Sequence, residues 1–188
     1  MIGGSGFLGQ EVTRQARLAG AGVGATFHSH ALAIAGVDWR AVDIRRRDEV
    51  IARTSLIIGN GGSVHEANVH ALASGTATGA LFTDDVRCPV HVADLASALL
   101  ELAGSAYSGI HHVAGADAVS RHELGVLIAR RDGLDEASLP SRTGLPGALD
   151  LRLDCTMTQS RLTTRLRGAR EFLGGSGNDE CVQRATLR

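Results

Sequence analysis

The chain opens with a glycine loop that runs directly into a helix-forming stretch. Gly3, Gly6 and Gly9 recur at every third position. In a strand–loop–helix unit, the first such glycine permits a tight turn and the second lets the backbone approach a pyrophosphate. The third allows the helix to pack closely on the strand, and the helix N-terminus then holds the phosphates. The loop therefore predicts an α/β nucleotide-binding unit, with only Met1 and Ile2 as the strand ahead of it.

Length, composition and charge limit the remaining choices. The 188 residues are 44% hydrophobic, so the chain can bury a core, and its length suits one domain or one domain with a small appendage. A formal net charge of −1 provides no general attraction for nucleic acid or for an anionic membrane. We therefore predict no nucleic-acid partner and no membrane partner.

The cysteines and the apolar runs indicate a cellular compartment. Cys88, Cys155 and Cys181 are scattered without metal-ligand spacing, which is typical of reduced thiols in a cytosolic protein. No apolar stretch reaches the length of a membrane span, and no secretory signal is recognisable. The sequence therefore predicts a soluble, cytoplasmic protein.

Local patterns predict alternating helices and strands. Residues 51–59 form an almost continuous β-branched run that is typical of a buried strand. Ser63 with Glu66, and Ser120 with Glu123, have the spacing of capping boxes, and Asp94 is a candidate N-cap for a helix over 95–103. Further predicted elements are helices at 7–19 and 157–166 and strands at 22–27, 37–44, 109–115 and 149–154.

Several ordered segments together resemble one enzyme family. The loop Gly3-Gly4-Ser5-Gly6-Phe7-Leu8-Gly9 is followed by Asp43-Ile44. Five later segments then occur in the same order as in that family: 53–59 (RTSLIIG), 88–96 (CPVHVADLA), 109–115 (GIHHVAG), 120–124 (SRHEL) and 150–154 (DLRLD). Over residues 1–173 the chain resembles the extended short-chain dehydrogenase/reductase superfamily, in particular its dTDP-4-dehydrorhamnose reductase branch.

This resemblance implies a fold and a division into domains. The fold class is α/β: a truncated Rossmann-type parallel sheet of about three strands with flanking helices, and a small C-terminal α+β substrate-binding region. The expected units are residues 1–80 for NAD(P), residues 81–173 for a sugar nucleotide, and a flexible tail over 174–188. The strand over 51–58 is expected beside the first strand.

The resemblance also implies a cofactor site. The end of the second strand carries no acidic residue for a ribose 2′-hydroxyl, which favours NADP over NAD. Asp43 and Ile44 are expected to border the adenine. The implied cofactor-binding positions are Gly3, Ser5, Gly6, Phe7, Leu8, Gly9, His28, Ser29, Asp43 and Ile44.

The substrate that the resemblance implies is a nucleoside-diphosphate sugar. Arg53, Ser55, Arg87 and Pro89 match segments that border the family's substrate pocket. The family's chemistry is the transfer of a hydride from NAD(P)H to a keto group of the sugar. The chain is thus expected to derive from a reductase of a nucleotide-linked keto sugar.

The chain departs from the family in its catalytic residues. In the family, a tyrosine delivers a proton to the carbonyl oxygen, and a lysine four positions later holds the nicotinamide ribose. This chain contains no lysine, and its one tyrosine, Tyr107, stands where the family has no catalytic residue. Only residues 45–52 separate Asp43-Ile44 from Arg53, where the family has several strand–helix units. We therefore expect a central deletion, no catalytic residue, and impaired or absent turnover.

Other functions stay open on the sequence. One alternative is a non-catalytic nucleotide- or protein-binding module derived from the family, and another is a remnant without a stable function. Because a sheet without its middle strands leaves apolar faces uncovered, self-association is also favoured.

Metal and serine-nucleophile chemistry fit the sequence poorly. His65 and His70 are five residues apart and do not share a helix face, while His111 and His112 alternate along a strand. No metal site is therefore predicted. Ser5 does not stand in a G-x-S-x-G turn, so it is not predicted to be a nucleophile.

Overall fold

A computed structural model of the chain describes residues 6–27, 37–41, 50–144, 147 and 150–174. Two expectations about the fold lie outside these residues. The pairing of the 51–58 strand with the first strand involves Met1 and Ile2, and the expected tail lies almost wholly beyond residue 174.

Helices and short strands alternate along the described part of the chain. The α-helices are α1 (Phe7–Leu18), α2 (Val64–Ala73), α3 (Val92–Ala103), α4 (Arg121–Asp132), α5 (Thr156–Gln159) and α6 (Ala169–Gly174). The strands are β1 (Val23–Phe27), β2 (Val37–Ala41), β3 (Val50–Arg53), β4 (Ile57–Ile58), β5 (Leu81–Phe82), β6 (Val86–Arg87), β7 (Val90–His91), β8 (Gly109–His112), β9 (Val119–Ser120) and β10 (Ser141–Arg142).

Most of the strand pairs are parallel and join distant parts of the sequence. The pairs β1–β2, β3–β8, β4–β7 and β5–β10 are parallel, and β6–β9 is antiparallel. Parallel strands need long crossover connections, and those of β3–β8, β4–β7 and β5–β10 contain helices. This arrangement confirms the α/β class. Instead of about three strands in one sheet, the described strands form five two-stranded pairs.

The predicted strand over 51–59 is interrupted because its neighbour changes halfway. Its first part, β3, pairs with β8, and its second part, β4, pairs with β7. Between them, the amide of Val113 donates to the carbonyl of Arg53 at 2.8 Å, and the amide of Val90 donates to the carbonyl of Leu56 at 2.9 Å. Residues 54–56 connect the part of the chain that pairs with β8 to the part that pairs with β7.

Gly115 allows two chain segments to approach closely at this junction. Its amide donates to the carbonyl of Cys88 at 3.4 Å. A Cβ atom at this position would stand 1.8 Å from the carbonyl oxygen of Pro89 and 2.9 Å from its carbonyl carbon. Because the neighbouring atoms belong to the backbone, only a glycine fits here without moving a strand.

The helix starts match the sequence patterns in part. Ser63 and Glu66 form the predicted capping box at α2, with side chain and backbone bonds in both directions. At α4, the Ser120 hydroxyl accepts from the amide of Glu123 as predicted, but the Glu123 carboxylate binds Arg170 at 2.7 Å.

The prediction that Asp94 caps a helix is wrong. Helix α3 begins directly after β7, and its N-cap is His91, whose Nδ1 accepts from the amide of Ala93 at 3.2 Å. Asp94 instead accepts from the Arg167 guanidinium at 2.9–3.2 Å and from the Arg167 amide at 3.1 Å. It therefore fastens the C-terminal segment to α3.

Most of the buried apolar residues in the described part of the chain form two clusters. The first packs between α2, α4 and α6: Ile58, Val69, Leu72, Leu81, Val119, Leu124, Ile128, Ala129, Leu139, Ala169 and Leu173. The second packs against α3: Val90, Leu95, Ala98, Leu102, Val113, Leu162 and Leu166. Residues 162–173 thus contribute to both clusters. The helix predicted over 157–166 ends at Gln159, as α5. In place of the strand predicted over 149–154, the described residues 150–154 carry a single bridge at Asp150.

Strands on either side of residue 80 pair with each other in β3–β8 and β4–β7. The division of the chain into units at residue 80 stays a prediction. Among the described residues, no helix combines the length and the apolar character that a membrane crossing requires.

We predict that Gly115→Ala lowers the free energy of unfolding by about 1–3 kcal/mol, because the added methyl group overlaps the Pro89 backbone. Urea unfolding followed by circular dichroism measures this change. Gly104→Ala is the matched control, since a Cβ there meets the Leu100 carbonyl oxygen at an ordinary 3.6 Å. Equal stability of the two variants would contradict the close approach.

We predict that Asp94→Asn lowers the free energy of unfolding by about 2 kcal/mol, because a partly buried, charge-assisted hydrogen-bond pair with Arg167 is lost. Thermal unfolding at several denaturant concentrations measures it. Glu171→Gln, which removes an exposed ion pair with Arg165, serves as the control and should change stability little. If Asp94 acted as a simple exposed charge, the two variants would behave alike.

Candidate functional site

The N-terminus of α1 presents its first backbone amides at the first glycine loop. Gly6 is the N-cap residue, in an extended conformation with φ −79° and ψ 169°, and it has no side chain to cap the helix. The first amides of a helix lack intrahelical acceptors, and the helix dipole adds partial positive charge. Gly9 is buried one turn in, where its carbonyl accepts from the Thr13 hydroxyl at 2.8 Å. This end of α1 therefore suits an anion.

A second glycine loop, residues 59–63, packs against the first through Phe7. A Cβ at Gly59 would stand 2.6 Å from the Phe7 Cζ atom, and a Cβ at Gly62 would stand 2.7 Å from Phe7 Cε2. Both glycines are needed for the ring to rest on this loop. Sequence reasoning missed this contact, although the run Gly59-Asn60-Gly61-Gly62 after a buried strand was a signal for it.

A fully buried carboxylate holds the second glycine loop in place. Glu66 is 0% exposed and accepts from the amides of Gly59 at 3.2 Å, Gly61 at 3.0 Å and Ser63 at 2.9 Å. Burial by itself would raise the pKa of Glu66, but hydrogen bonds with Ser63, the amide of Gly61 and Arg131 together lower it. The carboxylate is therefore ionised at neutral pH.

Arg131, near the end of α4, supplies the opposite charge. Its Nη1 donates to Glu66 Oε1 at 2.7 Å and to the carbonyl of Gly59 at 2.8 Å. The rest of the guanidinium donates to both carboxylate oxygens of Asp132, at 2.7 and 2.9 Å. His70 Nε2 lies 2.7 Å from the Asp132 carboxylate, and the pKa of Asp132 is lowered chiefly by Arg131. The ion pairs and hydrogen bonds of Glu66, Arg131, Asp132 and His70 thus connect α2 and α4 to the second glycine loop.

An apolar cavity adjoins the N-terminus of α1. Its volume is about 660 Å³, which lies within the range of small-molecule sites. It lies between α1, the beginning of β1 and α3, with Ile57 of β4 also on its wall. Among the lining residues are four of the predicted cofactor positions: Gly6, Phe7, Leu8 and Gly9.

The other predicted cofactor positions lie outside the described residues. These are Gly3, Ser5, His28, Ser29, Asp43 and Ile44. Among the residues that the structure describes, no three His, Cys, Asp or Glu side chains are grouped as metal ligands.

The structure brings the four predicted substrate residues onto adjacent chain segments. The Ser55 hydroxyl accepts from the amide of Cys88 at 3.2 Å, which ties 53–55 to 87–89. Pro89 is buried against Gly115, so Ser55 and Pro89 hold backbone in place. Arg53, at the end of β3, is exposed.

Arg87 belongs to a cluster that sequence reasoning missed. The buried Asp85 carboxylate forms ion pairs with Arg87 and, at 3.1 Å, with Arg121. Arg121 Nη1 lies 3.2 Å from His65 Nδ1 in the first turn of α2. Burial, with Arg121 as the second cause, lowers the pKa of His65, so the ring is neutral at pH 7. No spacing in the sequence pointed to this grouping.

Solved structures of nucleotide-sugar enzymes share this fold. MoeE5 in complex with UDP-glucose and NAD matches with a TM-score of 0.69 at 15% identity, covering 92% of this chain and 95% of that chain. The UDP-glucose 4-epimerase of Thermus thermophilus, in complex with NAD, matches with a TM-score of 0.64 at 13% identity, covering 94% of this chain and 98% of that one. These likenesses establish the Rossmann-type fold.

The chain is also similar to a dTDP-4-dehydrorhamnose reductase and to a protein of polysaccharide biosynthesis. The dTDP-4-dehydrorhamnose reductase of Bacillus anthracis str. Ames, in complex with NADP, matches with a TM-score of 0.55 at 18% identity, covering 66% of this chain and 45% of that one. The spore coat polysaccharide biosynthesis protein SpsK of Bacillus subtilis (strain 168) is 30% identical over 102 residues. That alignment covers 54% of this chain, which thus spans 36% of SpsK.

A family model agrees with these likenesses. The model described as RmlD substrate binding domain matches residues 38–145, more than half of the chain. The chain therefore belongs to the RmlD substrate-binding-domain family.

Proposed function

We propose that the chain binds a nicotinamide dinucleotide at the N-terminus of α1 and a nucleoside-diphosphate sugar beside it, as a member of a family of sugar-nucleotide reductases. One observation carries this proposal: Phe7 brings the two glycine loops together beside a cavity of about 660 Å³. Ligands of parallel α/β sheets bind beyond the carboxyl ends of the strands. The second loop directly follows β4, so it stands at that edge.

The fit to a dinucleotide rests on complementary chemistry. Uncapped amides at the start of α1 offer hydrogen bonds to a pyrophosphate, and Gly6 adds no side chain that would block them. The apolar cavity next to them offers a surface for a planar ring. NADP is the cofactor that we favour over NAD, because His28-Ser29-His30 carries no carboxylate. Matched structures contain NADP in one case and NAD in another.

The proposed sugar nucleotide would lie near the segments 53–55 and 87–89. Arg53 is an exposed cation at the end of β3, where it can pair with a diphosphate. MoeE5, which shares the fold, holds UDP-glucose together with NAD. We assign the dinucleotide to the part over residues 1–80 and the sugar nucleotide to the part over residues 81–173, with Arg53 and Ser55 of the first part bordering the sugar nucleotide. The proposed location is cytoplasmic.

Hydride transfer lacks its usual proton relay in this chain. No lysine is present, and the ring of Tyr107 is covered by the Arg161 guanidinium, 5.1 Å from the ring centroid. We infer a central deletion and binding with little or no turnover. A non-catalytic nucleotide- or protein-binding module is the alternative. Ile51 and Ile110 face each other across β3–β8 and are 45% and 54% exposed, which supports self-association.

We predict that Gly6→Asp weakens NADP binding about tenfold or more without lowering stability. Aspartate is a favourable N-cap residue, so the helix is retained, but its carboxylate competes with phosphate for the same amides and repels it. Calorimetric titration with NADP gives the affinity, and thermal unfolding gives the stability.

Thr78→Asp is the control for Gly6→Asp, because it adds the same charge at an exposed loop position. It should bind NADP as the unchanged protein does. Equal weakening in both variants would indicate a general charge effect, and unchanged binding in Gly6→Asp would place the phosphates elsewhere.

We predict that the chain binds both NADP and dTDP but does not oxidise NADPH above the protein-free rate when a dTDP-linked 4-keto sugar is added. The physical reason is that no lysine can hold the nicotinamide ribose or lower the pKa of a tyrosine. Absorbance of NADPH follows the reaction. Turnover above the protein-free rate would refute the inactivity, and failure to bind either nucleotide would refute the proposed function.

A further inference from the structure

We propose that Glu66 is a positioning residue for the cofactor site: it fixes the second glycine loop under Phe7 and thereby sets the position of the N-terminus of α1. This inference rests on the proposed dinucleotide binding. The hydrogen bonds of Glu66 go to the second loop, so it acts on the predicted cofactor positions through the backbone that it holds.

Each oxygen atom of the Glu66 carboxylate accepts two hydrogen bonds. Oε1 accepts from the Gly61 amide and from Arg131, while Oε2 accepts from the amides of Gly59 and Ser63. Four donors thus converge on one fully buried charge. Only a carboxylate can accept at both positions, because an amide side chain offers one oxygen and one donor group.

Arg131 completes the clamp at Gly59. It donates to the Gly59 carbonyl while Glu66 accepts from the Gly59 amide, so both polar groups of this residue are held by the same ion pair. Gly61 has a φ of +81°, a conformation that its hydrogen bond to Glu66 keeps in place. The shape of the loop therefore depends on the pair.

Phe7 connects the second glycine loop to the N-terminus of α1. Its ring lies where side chains at Gly59 and Gly62 would be, and Phe7 is the first residue of α1. A displaced second loop would leave the ring without its support. The amides that are proposed to receive the pyrophosphate belong to the same helical turn as Phe7.

The test compares Glu66→Gln with Asp117→Asn. Asp117 is a matched control because it also receives backbone amides, those of Ala169 and Arg170, but at the start of α6. Two measurements are made on each variant. One is hydrogen exchange of the amides in residues 59–63 and in residues 10–13, whose amides close the first turn of α1; the other is calorimetric affinity for NADP and for dTDP.

We expect Glu66→Gln to raise amide exchange about tenfold or more both in 59–63 and in 10–13, and to weaken NADP binding about tenfold. Asp117→Asn should alter neither segment and should keep the NADP affinity. If Glu66→Gln accelerates exchange equally throughout the described chain, its effect is on overall stability and the positioning role is overturned.

Faster exchange confined to 59–63, or unchanged NADP affinity in Glu66→Gln, would overturn the inference and leave the proposed function intact. If the unchanged protein does not bind NADP, the proposed function is wrong, and so is a positioning role for the cofactor. This result is obtained before any substitution is made. If Glu66→Gln does not fold, Arg131→Lys tests the inference instead. It keeps the positive charge but removes the hydrogen bonds that Arg131 Nη1 donates to Glu66 and to the Gly59 carbonyl. The same two measurements then apply.

Discussion

The arrangement of the site depends on one buried charge. A carboxylate that is wholly removed from water is stable only when donors surround it, and Glu66 has three backbone amides and Arg131. This requirement fixes the end of β4, the start of α2 and the end of α4 relative to one another. The amides of Gly59 and Gly61 point toward this carboxylate, and the Phe7 ring occupies the space that a Cβ at Gly59 or Gly62 would need.

Sequence patterns anticipated the elements whose signals are local. The capping box at Ser63 and Glu66 was predictable because both partners lie within one helical turn. Asp94 was misassigned because its partner, Arg167, is far along the chain, and because α3 starts directly from a strand with His91 as its cap. The break in the 51–59 strand was equally hidden, since it reflects a change of neighbour.

The same distinction explains what could be predicted of the candidate site. Gly6 to Gly9 were recognisable from their spacing, and the structure places them at the start of α1 beside the cavity. Ser55 and Pro89 came from the family resemblance, and their contacts in this chain are with backbone. The grouping of Asp85 with arginines from a strand and a helix could not be read from spacing, because only tertiary packing joins them.

The segment 162–173 has a consequence for how the chain acquires its structure. It supplies Leu162 and Leu166 to one core cluster and Leu173 to the other, and Asp94 and Asp117 fasten it. During synthesis on the ribosome, neither cluster could be completed until residues 162–173 had been made, because these residues belong to both clusters. Until then their apolar faces would be open to chaperones and to neighbouring chains, so assembly is expected to be late and concerted.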